Sequence, residues 1–452
     1  MWTPDSWQTK RLEQQPDYQD RRAFNSVINE LNTLPPLVSP KEVARLKELN
    51  AKASRGEAFI LQAGDCAESF ADCNQISINR KLQVILQMSA LLMYSQGKPV
   101  VQIGRMAGQY AKPRSAHTET KAGLSLPCYR GDLINDIEFS KAARTADPSR
   151  LLKGYSLASL TLNYIRAFGS EQVKTFLQPD AWTEEKLLGL SNSRYAPLIQ
   201  PIQQSMTMLG HIQQYPHPFL SEFFTCHEAL HLHYEQALTR QQQNGEWYNL
   251  STHLPWVGMR TAKPDSAHIE YLRGITNPVA IKVGPRMSSN WLLEICQALN
   301  PDNQAGKLML ITRLGVDRVQ DKLPELIRHI QSNKLNVTWC CDPMHGNTVV
   351  TDKGQKTRPF ESIVKEMQET FEIHQALNSC LGGLHLELTG DHVVECTGGV
   401  HHASADDVKT GYRSLVDPRL NPSQAIELLL QLVLSQHKRG VSLQPDMVKL
   451  IS

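Results

Sequence analysis

Short apolar runs of strand length recur along the chain and alternate with stretches of helical periodicity. Several of these runs end in Gly or Asp, and they predict strands at 58–64, 99–104, 247–252, 278–284, 308–315, 336–342, 384–390 and 413–417. Helical patterns lie between many of them, for example at 76–96 and 362–377. Strands that alternate with helices predict a parallel sheet. Eight strands favour a closed (β/α)8 TIM barrel, although an open doubly wound sheet alternates in the same way.

Two regions fall outside this alternation. Residues 1–55 are interpreted as an N-terminal extension, which ends in a helix that begins with a capping box of Ser39 and Glu42. The gap between the second and third predicted strands holds more chain than a barrel needs, and it predicts a helical insertion at about 170–215. The chain is therefore divided into the extension and a barrel, 56–452, that carries the insertion.

The composition narrows the class of protein. Hydrophobic residues make up 41% of the 452 residues and charged residues 20%, as in an ordinary globular chain. Lys and Arg number 47 against 45 Asp and Glu, and this balance argues against a nucleic-acid binder held by bulk charge. No apolar run reaches the roughly 18 residues of a membrane-spanning helix. Nine cysteines without a C-x-x-C pair predict free thiols and a reducing, cytoplasmic location.

Cationic side chains follow the predicted strands, where the catalytic groups of a barrel lie. They are Arg105, Lys112, Arg114, Arg260, Lys282 and Arg313. Several cations at one barrel mouth are costly unless anions neutralise them, and Arg and Lys are the usual ligands of phosphate. The set predicts a site for more than one phosphate or carboxylate. The alternative is a set of surface charges that pair with carboxylates.

A second set at the strand ends has the character of metal ligands. It consists of Cys66, His345, Glu387 and Asp417. A thiol, an imidazole and two carboxylates suit Mn²⁺, Fe²⁺, Co²⁺ or Zn²⁺ better than Mg²⁺ or Ca²⁺. Because the four residues are scattered along the chain, a buried cysteine and a core histidine without any metal are the alternative. A thiol nucleophile at Cys66 would need a hydrolase context that the sequence lacks.

Several long motifs are familiar. They are LQAGDCAESF (61–70), GQYAKPRS (108–115), HEALHLHYE (227–235), IKVGP (281–285), CDPMHGNT (341–348), GGLHLELTGDHVVECTGG (382–399) and DPRLN (417–421). On these motifs the chain resembles the class II (plant-type) 3-deoxy-D-arabino-heptulosonate 7-phosphate (DAHP) synthases from about residue 2 to 440. The resemblance implies a (β/α)8 barrel with an N-terminal extension and an inserted helix pair. It also implies condensation of phosphoenolpyruvate with erythrose 4-phosphate and water, the first step of the shikimate pathway to aromatic amino acids.

The resemblance also implies how the site residues divide. The metal ligands would be Cys66, His345, Glu387 and Asp417, with Mn²⁺ or Co²⁺ as the ion. Phosphoenolpyruvate would be held by Arg105, Arg260, Lys282 and Arg313. The aldose phosphate would contact Lys112, Arg114 and Ser115, with Asp342 near its hydroxyls. The catalytic residues would be Lys282, Arg313 and Glu228, the last placed on a helix and assigned to water handling.

The resemblance also implies regulation, and the sequence departs from the family pattern at two positions. In this family the extension and the insertion imply a homo-oligomer, a dimer or tetramer, with an aromatic amino acid as inhibitor and chorismate mutase as a partner to consider. Deletion of 170–215 is expected to abolish that inhibition. Met259 stands where the family commonly has Glu, and Val416 stands where it often has Cys, which removes a disulfide to Cys66. The alternatives are the same reaction in secondary metabolism, a metal-dependent hydrolase, or a non-catalytic regulatory subunit that binds effectors.

Overall fold

The computed structural model describes residues 2–177 and 222–437, together with the isolated positions 190, 195 and 199. Eight strands of this part form a closed barrel: β1 Phe59–Gly64, β2 Val100–Arg105, β3 Phe223–Glu228, β4 Leu254–Val257, β5 Val279–Val283, β6 Leu308–Thr312, β7 Thr338–Cys341 and β8 Leu381–Glu387. Each strand pairs in parallel with the next along the chain, and β8 closes the barrel by pairing with β1. The prediction of a (β/α)8 barrel is confirmed, and the open sheet is excluded.

Helices surround the strands. They are α1 Arg21–Thr33, α2 Pro40–Ser54, α3 Gln75–Gln96, α4 Lys141–Arg144, α5 Ser149–Leu177, α6 Leu232–Ala237, α7 Ala267–Arg273, α8 Ser289–Leu299, α9 Val319–Ser332, α10 Phe360–Ala376, α11 Ala405–Gly411 and α12 Pro422–His437. The helices predicted at 76–96 and 362–377 correspond to α3 and α10. The capping box is present, since Ser39 accepts from the Glu42 amide and the Glu42 carboxylate accepts from the Ser39 amide. Of the described helices, none combines the length and apolarity needed to cross a bilayer.

Two of the predicted strands do not belong to the barrel. The segment Trp247–Asn249 belongs to a separate antiparallel hairpin with Thr239–Gln241, and 413–417 is not a strand. The barrel uses β3 and β4 instead, which the sequence reading assigned to helix and to a loop. The tertiary context overrides local propensity here, because β4 is only four residues long and contains a proline that local rules disfavour in a strand.

The predicted insertion lies mostly outside the described residues. Helix α5 enters it and is described to Leu177, and of the remainder only positions 190, 195 and 199 are described. The division of the chain at residue 55 stays a prediction. The part of the extension that forms α2 nevertheless contacts the barrel strands β1, β7 and β8 directly.

Helix α2 closes the amino-terminal end of the barrel, which we call the floor. Leu46, Leu49 and Ala53 of this helix belong to the same buried cluster as the strand residues that fill the barrel interior. The approach is close at Gly306, where φ is +76° and a Cβ would lie 2.0 Å from the Lys47 carbonyl oxygen. Burying these apolar side chains stabilises the end of the barrel opposite the carboxyl ends of the strands, which we call the mouth.

Candidate active site

Parallel strands bring the candidate residues together at the mouth. Arg105, Glu228 and Glu387 are the last residues of β2, β3 and β8, and Lys282 is the penultimate residue of β5. Glu228 therefore lies on a strand rather than on the predicted helix. Arg313 and Asp342 directly follow β6 and β7, and Cys66 follows β1 by two residues. Asp417 reaches the mouth from the loop between α11 and α12, not from a strand end.

Glu387 is the centre of a buried charge network. Its Oε1 accepts a 3.0 Å hydrogen bond from Arg105 Nη2 and lies 3.1 Å from His345 Nε2, and its Oε2 lies 2.8 Å from Arg358 Nη1. Burial opposes ionisation of this carboxyl, but His345, Lys112 and Arg358 hold its pKa well below the ordinary value. Glu387 is therefore an anion surrounded by cations in a site from which solvent is excluded.

The ammonium of Lys112 lies among the four predicted metal ligands. Its Nζ is 2.7 Å from Cys66 Sγ, 2.8 Å from Asp417 Oδ2 and 3.9 Å from Glu387 Oε1. Burial, followed by the charge of Glu387, raises the pKa of the Cys66 thiol to about 12, although Lys112 acts in the opposite direction. The structure thus brings the predicted ligands together, with the Lys112 cation between three of them.

The donor set fits a borderline divalent cation in chemistry. His345 turns Nε2 towards Glu387, while its Nδ1 lies 2.7 Å from Asp342 Oδ2. A carboxylate on the far nitrogen commonly orients a metal-binding imidazole in this way. Within the described ranges, however, no three His, Cys, Asp or Glu side chains are grouped closely enough to hold an ion as they stand. The Lys112 ammonium would have to leave its place before the four donors could bind one ion.

Lys282 and Asp342 form the second buried ion pair of the mouth. Lys282 Nζ donates to Asp342 Oδ2 and lies 5.2 Å from the centre of the Trp256 ring. Burial lowers the pKa of Lys282 to about 8, with Arg105 adding to the shift and Asp342 opposing it. The Asp342 carboxylate also accepts from the amides of Met344 and His345. Its predicted contact with substrate hydroxyls stays a prediction.

The outer cations of the mouth have few anionic partners. Arg313 Nη2 donates to the His345 carbonyl at 2.6 Å, and Arg260 Nη2 donates to Ser115 Oγ at 2.6 Å. Neither guanidinium has a carboxylate within 4.0 Å in the described part of the chain. Arg114 Nη2 lies 3.9 Å from its carboxylate neighbour Glu119. These three cations are therefore available to bound anions.

Glu228 is a buried carboxyl with one unpartnered oxygen. Its Oε1 has no hydrogen-bond partner among the described residues, and the side chain fits because residue 258 is glycine: a Cβ there would lie 2.3 Å from Oε1. Burial raises the pKa of Glu228 to about 7, against the opposing charges of Lys112, Arg260 and Lys282. A carboxyl of this kind can hold or release a proton at neutral pH.

Two residues that support the site were missed by the sequence reading. Arg358 is fully buried, donates Nε to Thr348 Oγ1 at 2.9 Å and donates Nη1 to the Pro418 carbonyl, beside its contact with Glu387. Glu68 accepts three 2.9 Å hydrogen bonds from the successive amides of residues 107–109, and so fixes the start of the loop that carries Lys112. Glu68 lies within the motif LQAGDCAESF (61–70), but no local pattern reveals the contacts that either residue makes with distant parts of the chain.

The structure shows which residues surround Met259 and Val416, the two positions that depart from the family pattern. The Met259 side chain lies over Gly284, beside the guanidinium of Arg313. Val416 packs next to Cys66 and Tyr129 in a small buried cluster. All nine cysteines are free in the structure.

Fold and mouth together define a class of protein. It is a (β/α)8 barrel whose mouth joins buried ion pairs, cations available to anions and a cluster of metal-type donors, and in such barrels the mouth is where active sites lie.

Comparison with known proteins gives the family. The class-II DAHP synthetase family model matches residues 2–433. A phospho-2-dehydro-3-deoxyheptonate aldolase of Neurospora crassa is 44% identical over 453 residues, covering 94% of this chain and 92% of that protein. Proteins of the same name from Streptomyces coelicolor and Mycolicibacterium smegmatis are 42% and 39% identical, each over 94% of this chain and over 95% and 92% of their own lengths. The chain belongs to the class-II DAHP synthetase family, a family of transferase-type enzymes.

Proposed function

We propose that the protein is a DAHP synthase that condenses phosphoenolpyruvate with erythrose 4-phosphate and water, releasing inorganic phosphate. The observation that carries the proposal is the mouth itself, where cations without carboxylate partners adjoin the four clustered donors. Two phosphorylated substrates would supply the anions that such a set requires. Family membership and the names of the relatives support the same reaction.

The cations of the mouth divide into two sets, one for each substrate. Arg105, Lys282 and Arg313 line the strand ends and would bind the phosphate and carboxylate of phosphoenolpyruvate, together with Arg260. The loop that carries Lys112, Arg114 and Ser115 follows β2 and would take the phosphate of the aldose. Holding two anions side by side lowers the entropic and electrostatic cost of bringing them together.

A divalent metal, Mn²⁺ or Co²⁺ first, would take Cys66, His345, Glu387 and Asp417 as ligands. When bound, such an ion supplies Lewis acidity to the aldehyde oxygen. The chain itself orients the ligands: Asp342 holds Nδ1 of His345 at 2.7 Å, and Arg358 lies 2.8 Å from Glu387. Lys112 would then leave the cluster and turn its ammonium towards the aldose phosphate.

Glu228 and Lys282 are the groups suited to proton transfer. Carbon 3 of phosphoenolpyruvate attacks the aldehyde carbon, whose oxygen takes up a proton. Water adds at carbon 2 and gives up a proton, and the bond between carbon 2 and the phosphate oxygen then breaks to leave the ketone and inorganic phosphate. Glu228 Oε1 is free to accept the proton of that water, since it has no partner among the described residues. Met259, which stands where the family commonly has Glu, has no group that could take this proton.

The biological context is proposed from the family alone. The reaction would open the shikimate route to aromatic amino acids in the cytoplasm. A homo-oligomer, an aromatic amino-acid inhibitor and association with a chorismate mutase belong to the same proposal. The same reaction in secondary metabolism is one alternative. A non-catalytic regulatory subunit is the other, and Met259 in place of the usual Glu is the residue that would favour it.

Loss of phosphoenolpyruvate absorbance tests the proposal. Purified protein is incubated with both substrates and Mn²⁺, beside a sample stripped with EDTA, and the product is identified by mass. We expect metal-dependent loss with the seven-carbon sugar acid phosphate as product. Folded protein that is inactive with every divalent ion would overturn the proposal and favour the regulatory-subunit reading.

Cys66→Ala separates metal binding from folding. Because Cys66 is uncharged when protonated and fully buried, its truncation removes one ligand without stranding a counter-charge. We expect Mn²⁺ affinity, measured by calorimetry, to fall by about 10- to 100-fold while the melting temperature of the metal-free protein changes little. Val416→Ala, next to Cys66 but without a donor atom, is the matched control.

A further inference from the structure

The chain segment before α1 crosses the mouth of the barrel. The Arg11 carbonyl accepts a 3.0 Å hydrogen bond from the Ala267 amide, and the Glu13 carboxylate accepts from Lys263 Nζ at 2.7 Å. Both partners follow β4, on the side where the candidate substrate residues lie. The part of the extension at residues 11–15, which we call the arm, is therefore placed over the active site.

The side chain of Gln14 in the arm is hydrogen-bonded to the main chain of the loop that carries Lys112, Arg114 and Ser115, which we call the substrate loop. The Arg114 amide donates to Gln14 Oε1 at 2.9 Å, and Gln14 Nε2 donates to the Arg114 carbonyl at 3.1 Å. One primary amide thus satisfies both backbone groups of one residue, which fixes that residue's position and orientation. Arg114 is a predicted phosphate ligand, so the contact acts at the binding loop itself.

The neighbouring residue makes a similar contact with a different loop. Gln15 Nε2 donates to the Leu230 carbonyl at 2.6 Å, and Gln15 Oε1 accepts from the Leu232 amide at 3.1 Å. That loop follows β3 and the candidate catalytic Glu228. Two consecutive glutamines therefore tie the loops after β2 and β3 to one stretch of chain.

The backbone at Gln14 is held in an uncommon conformation. Its φ is +62°, in the left-handed region that non-glycine residues rarely adopt. Such a conformation persists only where the surroundings over-determine it, and it is found most often at functional sites. The two hydrogen bonds to Arg114 and a 3.4 Å hydrogen bond from Arg130 Nη1 to the Gln14 carbonyl supply that constraint.

Within the substrate loop, the side chain of Arg114 is weakly engaged while its main chain is fixed. Its guanidinium has a carboxylate only at 3.9 Å, and the next residue, Ser115, is held through its hydroxyl by Arg260. The backbone of this loop is fixed while the guanidinium of Arg114 has no close anionic partner. Such a loop can bind an anion with little further loss of conformational entropy.

We propose that Gln14 is a positioning residue for the aldose-phosphate subsite, acting through the main chain of Arg114. The proposal rests on the proposed function for the identity of the phosphate, but the positioning itself rests on the contacts above. It gives the N-terminal arm a role within the active site of its own subunit.

Gln14→Gly is the first test, since glycine tolerates the left-handed backbone and the substitution removes the side chain that makes both hydrogen bonds to Arg114. We expect the KM for erythrose 4-phosphate to rise about tenfold, with kcat and the KM for phosphoenolpyruvate within about twofold of the parent. Gln14→Glu keeps the side-chain length but loses the donor to the Arg114 carbonyl. Its KM for erythrose 4-phosphate should lie between those of the parent and of Gln14→Gly. Gln8→Ala, exposed and nearer the chain start, is the control and should change nothing.

Hydrogen exchange and inorganic phosphate give a readout that does not depend on turnover. In Gln14→Gly the amides of residues 110–116 should exchange faster, and inorganic phosphate should protect them at about tenfold higher concentration than in the parent. Weaker phosphate protection in a protein that cannot form DAHP would sink the proposed reaction and keep the positioning role. Equal phosphate protection, or a fall in kcat and both affinities together, would overturn the positioning role.

Discussion

Each end of the barrel buries a lysine, and the two lysines are held in different ways. At the mouth, Lys282 is 3% exposed and donates to the carboxylate of Asp342. At the floor, Lys307 is 7% exposed and donates to the carbonyls of Ile275 and Asn277. The first lysine belongs to a network of charges, whereas the second satisfies backbone groups. The same side chain therefore serves chemistry at one end and chain geometry at the other.

The difference extends to the surroundings of each lysine. The floor is an apolar cluster closed by α2, and such packing contributes stability without specific chemistry. The mouth keeps buried ion pairs, for which desolvation offsets much of the Coulombic gain. Charges that contribute little to stability are retained where substrates need them. Changes at the mouth should therefore act on activity, and also on stability where they leave a buried charge without its partner, whereas changes at the floor should act on stability alone.

Replacing each lysine by methionine tests this most strongly. Lys282→Met removes a cation from the proposed phosphoenolpyruvate site, and we expect kcat/KM to fall at least about a thousandfold. Lys307→Met leaves two carbonyls without their donor, which should cost about 1–3 kcal/mol of stability while kcat/KM of the folded enzyme is unchanged. Steady-state kinetics and urea unfolding of both variants give the comparison. Equal losses of activity would show that the ends are not separable.

Leu46→Ala acts at the floor alone. Leu46 is fully buried in the cluster that joins α2 to the barrel interior. Truncating a buried leucine leaves a cavity and costs about 2–5 kcal/mol. Urea unfolding should show this loss, while kcat/KM measured well below the unfolding midpoint stays within twofold of the parent. A large loss of activity in the folded variant would mean that the floor controls the geometry of the mouth.

The same contrast explains what the sequence could predict. Strand alternation and the charged residues at strand ends indicated the barrel and brought Lys282 and Glu387 to the mouth, because their positions follow from local pattern. Short strands such as β4 and contacts between distant residues leave no local pattern. The Gln14 to Arg114 contact joins positions 100 residues apart, and Arg358 meets Glu387 only in the folded chain. Such residues require the structure.

Opposite dependences on pH are expected from the two ends. The pKa of Glu228 is raised to about 7 by burial, so between about pH 4.5 and 7 the folded state holds a proton that the unfolded chain has lost, and stability falls as pH rises. The pKa of Lys307 is lowered to about 7, chiefly by burial and also by Lys47, so above pH 7 the unfolded chain holds the extra proton and stability rises. Each slope is at most about 1.4 kcal/mol per pH unit.

Urea unfolding of the metal-free protein across pH 5 to 9.5 measures both slopes. Relative to the parent, Glu228→Gln should lose a contribution that falls between about pH 4.5 and 7, and Lys307→Met should lose a contribution that rises from about pH 7. The rise above about pH 8 that comes from Lys282 should remain in both variants. A profile that either variant leaves unchanged would contradict the assignment of that contribution to Glu228 or to Lys307.

The smallest effect comes from two capping boxes of the same kind. Ser39 and Glu42 begin α2 at the floor, and Ser404 and Asp407 begin α11 in the segment that leads to Asp417. Replacing either serine by alanine removes the same hydrogen bond, worth about 1 kcal/mol.

Helix α2 is packed into the core, so Ser39→Ala should lower global stability by that amount. Helix α11 buries only Val408, so Ser404→Ala should instead loosen the segment locally, with faster hydrogen exchange at 405–411 and weaker Mn²⁺ binding through Asp417. If both variants lowered the urea midpoint equally, the mouth loops would share the stability of the floor, and the separation of the two ends would fail where the energies are smallest.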